Sequence, residues 1–416
     1  MPTANIFATN MPNAPSVVHA QLFAMIWIML VCSLCMLWLD YRAAHRQVPA
    51  ERATLRRRIL LTLWFLDALP FVYWLLTNRL FWHDNPTWMT LGSMWINYIY
   101  MLTVVARAPF SLAAAYTQSA WWRGIALCVG VGAVALFIHG MTATRTAYDV
   151  RHVILRSDRL PEAFDGYRIV HLSDLHVGSL VRPQKEVAEV VDICNAQEAD
   201  MVVFSGDLIN VRHDELSPEI MDKLGSLRAE DGVFAVTGNH DRGVYVRDTL
   251  TITTAFTTSV VMHAEREAGW HVLDDSSIYI HRGGDSIALT GISFSEQLQE
   301  KRHSSNLPNV ELSHAYRGVS KGDFNITIAH IPQLWDRILE EGYADLTLSG
   351  HVHAMQLKIP IGRRGISPSR LLYKRWSGLY EKRNRWLYIN DGIGLAMYPM
   401  RLGAPPEITI IELHRK

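Results

Sequence analysis

Four long apolar stretches fill the first third of this chain, and they restrict its folding more than any other feature. Residues 17–39 contain no charged side chain. At about 1.5 Å per residue, a helix of that length crosses the roughly 30 Å hydrocarbon core of a bilayer. Backbone polar groups in lipid have no water to bond, so such a run spans as a helix or not at all. Segments 59–76, 88–106 and 125–141 repeat the pattern. Asp67 and Pro70 interrupt the second. The fourth reaches spanning length when Trp121 and Trp122 begin it at the interface, where tryptophan is favoured. The expectation is four transmembrane helices.

Charge sets the expected sidedness. Arg42, Arg46, Arg52, Arg56, Arg57 and Arg58 follow the first stretch, and basic loops stay in the cytoplasm. The tail before residue 17 has no Lys or Arg, and the loop around His83 carries only Arg79. Arg107 and Arg123 flank the next connection. Four crossings with both termini outside place everything after about residue 142 on the periplasmic or extracellular side of the inner (plasma) membrane. No basic residue precedes the first stretch and no small-residue cleavage site follows it, so it reads as an anchor rather than a signal peptide. Asp67 in mid-membrane reads either as a functional group or, in the favoured reading, as an uncharged or paired carboxyl between helices near Asn97. Gly130 and Gly132 are expected at close helix contacts. Cys32, Cys35 and Cys128 lie in apolar runs, where they read as small apolar side chains, and Cys194 alone falls in the remainder, so no disulfide framework is available there.

At 416 residues the chain exceeds one ordinary domain, and its texture changes near residue 146. The expected division is a membrane region at 1–145 and a second domain at 146–416. The formal net charge of zero gives no global field to recruit nucleic acid. Beyond residue 148 the apolar runs are short and strand-like, at 168–170, 201–204, 233–236, 287–290, 325–328, 346–348, 386–389 and 408–413. Helical spacing recurs at 183–196, at 218–227 and briefly at 333–339. Strands alternating with helices imply an α/β layered fold. Such folds bind ligands beyond the carboxyl ends of their strands.

Metal-ligand residues fall at those ends. His171-Leu172-Ser173-Asp174-Leu175-His176 follows one strand-like run, Gly206-Asp207 the next, Gly238-Asn239-His240-Asp241 a third, and Gly350-His351-Val352-His353 a later one. One Asp-x-His is a weak signal, and a lone Asp207, Asn239 or His330 would be structural more often than not. Four such segments in order describe one site. The anionic oxygens of a phosphate ester repel a nucleophile, and two cations about 3.5–4 Å apart neutralise them, generate hydroxide near neutral pH and hold the attacking and leaving oxygens in line. A bridging carboxylate with neutral imidazoles and an amide leaves the ions' charge largely uncancelled and suits Mn, Fe or Zn better than Ca. Gly178, Gly206, Gly238 and Gly350 are expected to let the backbone turn and to leave room for the phosphate.

These segments resemble the calcineurin-like metallophosphoesterase superfamily, and more nearly its membrane-attached branch. The likeness runs from about Asp149 onward and includes Leu160-Pro161, Phe164-Asp165-Gly166, Gly392 and Pro405-Pro406-Glu407. It implies a layered β-sandwich flanked by helices, preceded here by the α-helical transmembrane region. By position, the resemblance implies that Asp174, His176 and His353 hold one metal, that Asn239, His330 and His351 hold the other, and that Asp207 bridges. It also implies that His240 contacts the phosphate and assists the leaving group, with Asp241 orienting it. His171 precedes the first ligand motif and is not expected to bind. The implied cofactors are two divalent ions, Mn foremost, with Fe or Zn as alternatives. Two departures stand out. Asn210 follows Asp207-Leu208-Ile209 where the family usually has Asp, and Ala354-Met355-Gln356 follows His353 where Gly-Gly-Gln is common. The second is expected to narrow the space beside the site.

The expected function is a membrane-anchored metallophosphoesterase cleaving a phosphodiester or pyrophosphate bond in an amphiphilic or lipid-linked substrate by attack of a metal-bound hydroxide. Expected partners are that phosphorylated small molecule or lipid and the surrounding membrane lipids. The alternatives are a phosphate-lipid binding or sensing protein with a non-catalytic metal site, and a transport role for the helices, which the lack of repeated broken helices disfavours. Protein Ser/Thr phosphatase activity is disfavoured because the Asp207 and Asn239 segments lack the Arg-Gly and Asn-His-Glu elements of that group. Arg363, Arg364, Arg370, Lys374 and Arg375 read equally as a headgroup contact or a solvated loop. His152, His213, His263, His314 and the remaining histidines receive no role.

Overall fold

The computed structural model describes residues 15–80, 85–246, 254–295, 298, 311–361, 365–396 and 398–416. The N-terminal tail, the His83 loop, Arg363 and Arg364 lie outside them.

Each apolar stretch is a helix longer than its apolar core. They are α1 (Pro15–Gln47), α2 (Ala53–Leu80), α3 (Thr87–Tyr116) and α4 (Ala120–Thr142). All four are long and apolar enough to cross a membrane. The fourth begins at Ala120 and so takes in both interfacial tryptophans.

One charged group ties three of the helices. Arg107 on α3 donates through Nη2 to both carboxylate oxygens of Asp67 on α2, while its Nε lies 3.7 Å from Asp40 Oδ2 on α1. Ser111 donates to the other Asp40 oxygen at 2.5 Å. Both carboxylates are buried. The partner of Asp67 is therefore this arginine, which lies nearly three turns beyond Asn97. An arginine presents several N–H donors in a planar fork and answers a buried carboxylate better than an amide does. Of the two glycines expected at helix contacts, Gly130 fits. A Cβ there would lie 2.2 Å from the Ala106 carbonyl, whereas Gly132 faces open space.

Two six-stranded sheets follow. The first has the order β1 (Asp149–Ser157), β12 (Glu407–Arg415), β2 (Tyr167–Leu172), β3 (Met201–Phe204), β4 (Val233–Ala235) and β5 (His271–Val272). The second has the order β10 (Gly378–Lys382), β11 (Arg385–Ile389), β9 (Leu346–Ser349), β8 (Asn325–Ala329), β7 (Asp285–Ile292) and β6 (Ser276–Arg282). The sheets pack through Ile169, Val203 and Phe234 of one against Ile326, Ile328, Leu348 and Tyr388 of the other. On the outer face of the first sheet, α5 (Pro183–Asn195) and α6 (Pro218–Leu224) bury Val187, Val190, Ile220 and Leu224 against Val170 and Val202. The helix Trp335–Glu341 covers the second sheet with Trp335 over Leu387 and Ile389. This is the expected sandwich flanked by helices.

What positions a site is strand direction. β2, β3 and β4 run parallel, as do β7, β8 and β9. Their carboxyl ends open at one edge of the sandwich, so loops from both sheets meet there.

Because removing one partner of a buried ion pair costs about 3–5 kcal/mol, Arg107→Leu should lower the Tm of the full chain in detergent sharply. An unchanged Tm would mean that Arg107 is not the tie between the helices.

Candidate metal centre

Five loops deliver the ligand-type side chains. Asp174 and His176 follow β2, Asp207 follows β3, Asn239 and His240 follow β4, His330 follows β8, and His351 and His353 follow β9. Asp174, His176, Asp207, His351 and His353 all have positive φ, between 42° and 72°. Such strained backbone in non-glycine residues clusters where a structure holds side chains in a functional arrangement.

The side chains converge in two corners. In the first, His353 Nε2 lies 3.1 Å from both His176 Nε2 and Asp174 Oδ1. In the second, His330 Nε2 lies 3.0 Å from Asp207 Oδ2 and 3.1 Å from Asn239 Oδ1. Asp207 Oδ2 is also 3.8 Å from His176 Nε2, so one carboxylate oxygen stands between the corners. Three overlapping ligand sets result: Asp174, His176 and His353; His176, Asp207 and His240; Asp207, His330 and His351.

These spacings fit cations. Two donors each about 2.1 Å from one ion, at right angles, lie about 3 Å apart. His176 and His353 turn ring nitrogens toward each other at that separation, an arrangement that a shared cation satisfies. On His330, Nδ1 donates to the Ser205 carbonyl at 2.8 Å, which leaves the Nε2 lone pair for the site.

Electrostatics agree. Burial disfavours ionised Asp174 and Asp207, yet the surrounding imidazoles hold both below the usual carboxylate range. Burial pushes His176 and His240 down, which favours neutral, ligating imidazole. His330 moves the other way. Burial opposes its charge, but the Asp207 and Asp174 carboxylates outweigh it and raise His330 to about 9. The two carboxylates thus favour positive charge beside His330. His171 is pushed down by burial to about 3 and bonds Ser205 Oγ at 2.9 Å, outside the cluster.

Tight backbone packing makes the corners possible. A Cβ on Gly350 would sit 1.8 Å from Ser173 Oγ and 2.1 Å from Asp174 Oδ2, and one on Gly238 would sit 2.1 Å from Asp207 Oδ1. These glycines make room for the carboxylates rather than for a phosphate. Asp241 likewise departs from expectation. Its carboxylate accepts N–H groups of Asp207, Leu208, Ile209 and Gly238 at 2.7–3.1 Å and so shapes the Asp207 loop. Those four donors engage it fully, and His240 Nδ1 is instead held by the Asn210 carbonyl. Ala354 does not narrow the site either; it packs with Val352, Trp376 and Ala404 behind it.

Several contributors carried no signal in the sequence. Tyr245 accepts from Asn239 Nδ2 at 3.1 Å, and its ring centroid lies 4.3 Å from that of His240. Glu215 accepts the N–H groups of Asn210, Val211 and Arg212 at 2.5–3.1 Å. Fully buried Arg401 lies 3.5 Å from His353 Nδ1 and donates to the carbonyls of Gly394, Asp391 and Ala404. All three also touch the helical region. Asn85, between α2 and α3, donates to the Tyr245 carbonyl at 2.7 Å, and Thr87 donates to Glu215 at 3.3 Å. Gly140 and Thr144, at the end of α4, bond the backbone of Arg401.

With this geometry in hand, relatives become informative. Residues 167–355 match the family described as calcineurin-like phosphoesterase. An uncharacterized metallophosphoesterase of Bacillus subtilis, YkuE, is 26% identical over 265 residues, which cover 62% of this chain and 83% of that protein. A transmembrane protein with metallophosphoesterase domain from Bos taurus is 30% identical over 61% of this chain and 54% of its own length. A phosphodiesterase of Escherichia coli, YaeI, is 26% identical over 59% of this chain and 82% of its own. Among solved structures, phosphopantetheinyl hydrolase from Mycobacterium tuberculosis aligns with 54% of this chain and 88% of that one at 12% identity and a TM-score of 0.36. The matched segment, residues 167–355, is thus similar to calcineurin-like phosphoesterase domains, and it follows four membrane-capable helices.

Because the Gly350 Cβ has nowhere to go, Gly350→Ala should displace Asp174. We expect purified variant, measured by elemental analysis, to hold less Mn than wild type. Equal metal per folded chain would contradict this role for Gly350.

Proposed function

We propose that this protein is a membrane-anchored, dinuclear metal-dependent phosphoesterase that hydrolyses a phosphodiester or pyrophosphate bond in an amphiphilic or lipid-linked substrate. The observation that carries the reading is the sharing of His176 and Asp207 among three overlapping ligand sets. Asp174, His176 and His353 would hold one ion, and Asn239, His330 and His351 the other, with Asp207 between them and Mn the preferred metal. Two such ions supply charge neutralisation of the phosphate and activation of water. The chain supplies the rest. His240, fixed through Nδ1 by the Asn210 carbonyl, turns its other nitrogen to the site, contacts the phosphate and assists the departing oxygen. Asp241 holds the Asp207 loop through four N–H groups and so keeps the bridging oxygen in place.

Membrane attachment supports a substrate with a lipid part. Asn85, before α3, and Thr87, its first residue, reach Tyr245 and Glu215; Tyr245 bonds Asn239, and Glu215 holds the Asn210 loop whose carbonyl bonds His240. The layout of the bundle supports one sidedness. The turns near Gln47 and Thr117 bond one another at one end, while Asn85, Thr87 and Gly140 meet the phosphoesterase half at the other. The arginine-rich segment after α1 lies at the former end. The positive-inside rule then puts that end in the cytoplasm and the metal centre on the periplasmic or extracellular side. We further propose that the chain divides near residue 145.

Purified full chain should hydrolyse bis-p-nitrophenyl phosphate with Mn²⁺ and lose activity in EDTA, and Asp207→Ala should lower the rate at least 100-fold. Equal rates for wild type and Asp207→Ala would refute the site. Alkaline phosphatase fused after Lys416 should be active in cells; an inactive phosphatase fusion with a fluorescent cytoplasmic reporter in its place would reverse the sidedness.

A further inference from the structure

Apolar side chains exposed on the phosphoesterase half are not scattered. Among the described residues after 147, the large exposed ones are Ile154, Val181, Phe256, Ile359, Ile361, Ile366, Leu371 and Leu372. Five of these eight fall within 359–372, and Leu371 is 83% exposed. A soluble surface rarely gathers large apolar groups in this way without something to cover them.

The described parts of this segment, 359–361 and 365–372, are held by specific contacts. Ile359 and Ile366 pair across an antiparallel bridge, with backbone hydrogen bonds of 2.8 and 2.9 Å in both directions. The following turn, Pro368–Leu371, is fixed by Ser367, whose hydroxyl donates to the Ala354 carbonyl at 2.6 Å and accepts the N–H of Ser369 at 3.1 Å. Tyr373 and Trp376 close its far end on Val352 and Ala354, beside His351 and His353. Exposed Leu371 and Leu372 thus project from a braced element rather than from a loose loop.

Its position tells what covers it. The last turn of α4 packs Gly140 against Met400, Arg401 and Leu402. Leu402 then brackets the root of this segment, donating to Gln356 O at 2.8 Å and accepting from Lys358 N at 2.9 Å. Ile359 is the next residue. The exposed apolar residues therefore begin two backbone contacts from where a membrane-capable helix ends. Arg370 is exposed beside Leu371, while Lys374 and Arg375 are engaged by Asp336. Apolar groups flanked by an arginine suit the boundary between acyl chains and phosphate headgroups.

We propose that residues 359–361 and 365–372 dip into the bilayer interface as a second membrane contact, beside the metal centre and on the same side as the end of α4. The inference rests on the reading of α1–α4 as membrane spans, and it does not depend on catalysis. Anchored at α4 on one flank and at these residues on the other, the centre would face the headgroup layer and take phosphorylated lipid headgroups from the plane of the membrane.

The test uses full chain reconstituted in phosphatidylcholine–phosphatidylglycerol vesicles. The four native cysteines are replaced by Ser or Ala, and single cysteines at position 361 (Ile361→Cys), 371 (Leu371→Cys) or 263 (His263→Cys) carry an environment-sensitive fluorophore. A version that keeps only Cys128, exposed on α4, reports the membrane itself. Spin-labelled lipids should quench the labels at 128, 361 and 371 at least twofold more than the label at the exposed position 263. Quenching at 128 without quenching at 361 and 371 overturns this second contact and leaves the membrane reading standing. A blue-shifted label at 371 that lipid does not quench means that protein, such as a second copy, covers the patch, and this also overturns the proposal. No quenching at 128 removes both readings. Activity on bis-p-nitrophenyl phosphate, which needs no membrane, is measured on the same samples, so a failed catalytic reading is seen separately.

Discussion

One carboxylate oxygen holds this site together. Asp207 Oδ2 lies between His330 at 3.0 Å and His176 at 3.8 Å, and it is the carboxylate oxygen that faces imidazoles of both corners. Everything around it keeps that oxygen in place. The Asp207 backbone is left-handed, its N–H is tied to Asp241, and its other oxygen accepts the His240 N–H at 2.8 Å. Gly238 is bare because any side chain there would collide with Asp207. Two sheets are needed for this arrangement. β3 supplies Asp207 and β8 supplies His330, and the apolar layer between the sheets brings their ends together.

How much of this was legible depended on the kind of interaction. Candidate ligands could be read because metal chemistry admits few side chains and because they follow strand-like runs of consistent texture. β2, β3, β4, β8 and β9 all appear near where those runs predicted them. The strands that escaped notice are β1, β5, β6 and β10. β1 mixes charged and apolar residues at an edge, β5 has two residues, and β6 and β10 are half-exposed edges. The helix Thr254–Glu267 was also missed, since its threonines and valines favour strands locally and packing overrides them.

Residues that act through the backbone were invisible. His240 is oriented by the carbonyl of Asn210, and a carbonyl has no letter in the sequence. The resemblance implies that Asp241 orients His240, whereas its hydrogen bonds run to Asp207, Leu208, Ile209 and Gly238. Tyr245, Glu215 and Arg401 gain meaning only from contacts made on folding. The same holds in the helices, where Asp67 selects Arg107, 40 residues on, over the amide expected of it. Those long-range contacts also join the two halves of the chain: Asn85, Thr87 and Gly140 carry the helical region to the edge of the metal centre.

A carboxylate shared by two ions makes those ions magnetically aware of each other, which mononuclear sites cannot imitate. Electron paramagnetic resonance of the Mn-loaded full chain tests this directly. A dinuclear centre bridged by Asp207 predicts two Mn per chain with an exchange-coupled spectrum, which Asp207→Ala would convert to an uncoupled one. Two Mn per chain giving only the spectrum of isolated ions, or a single Mn at saturation, would contradict the bridged centre.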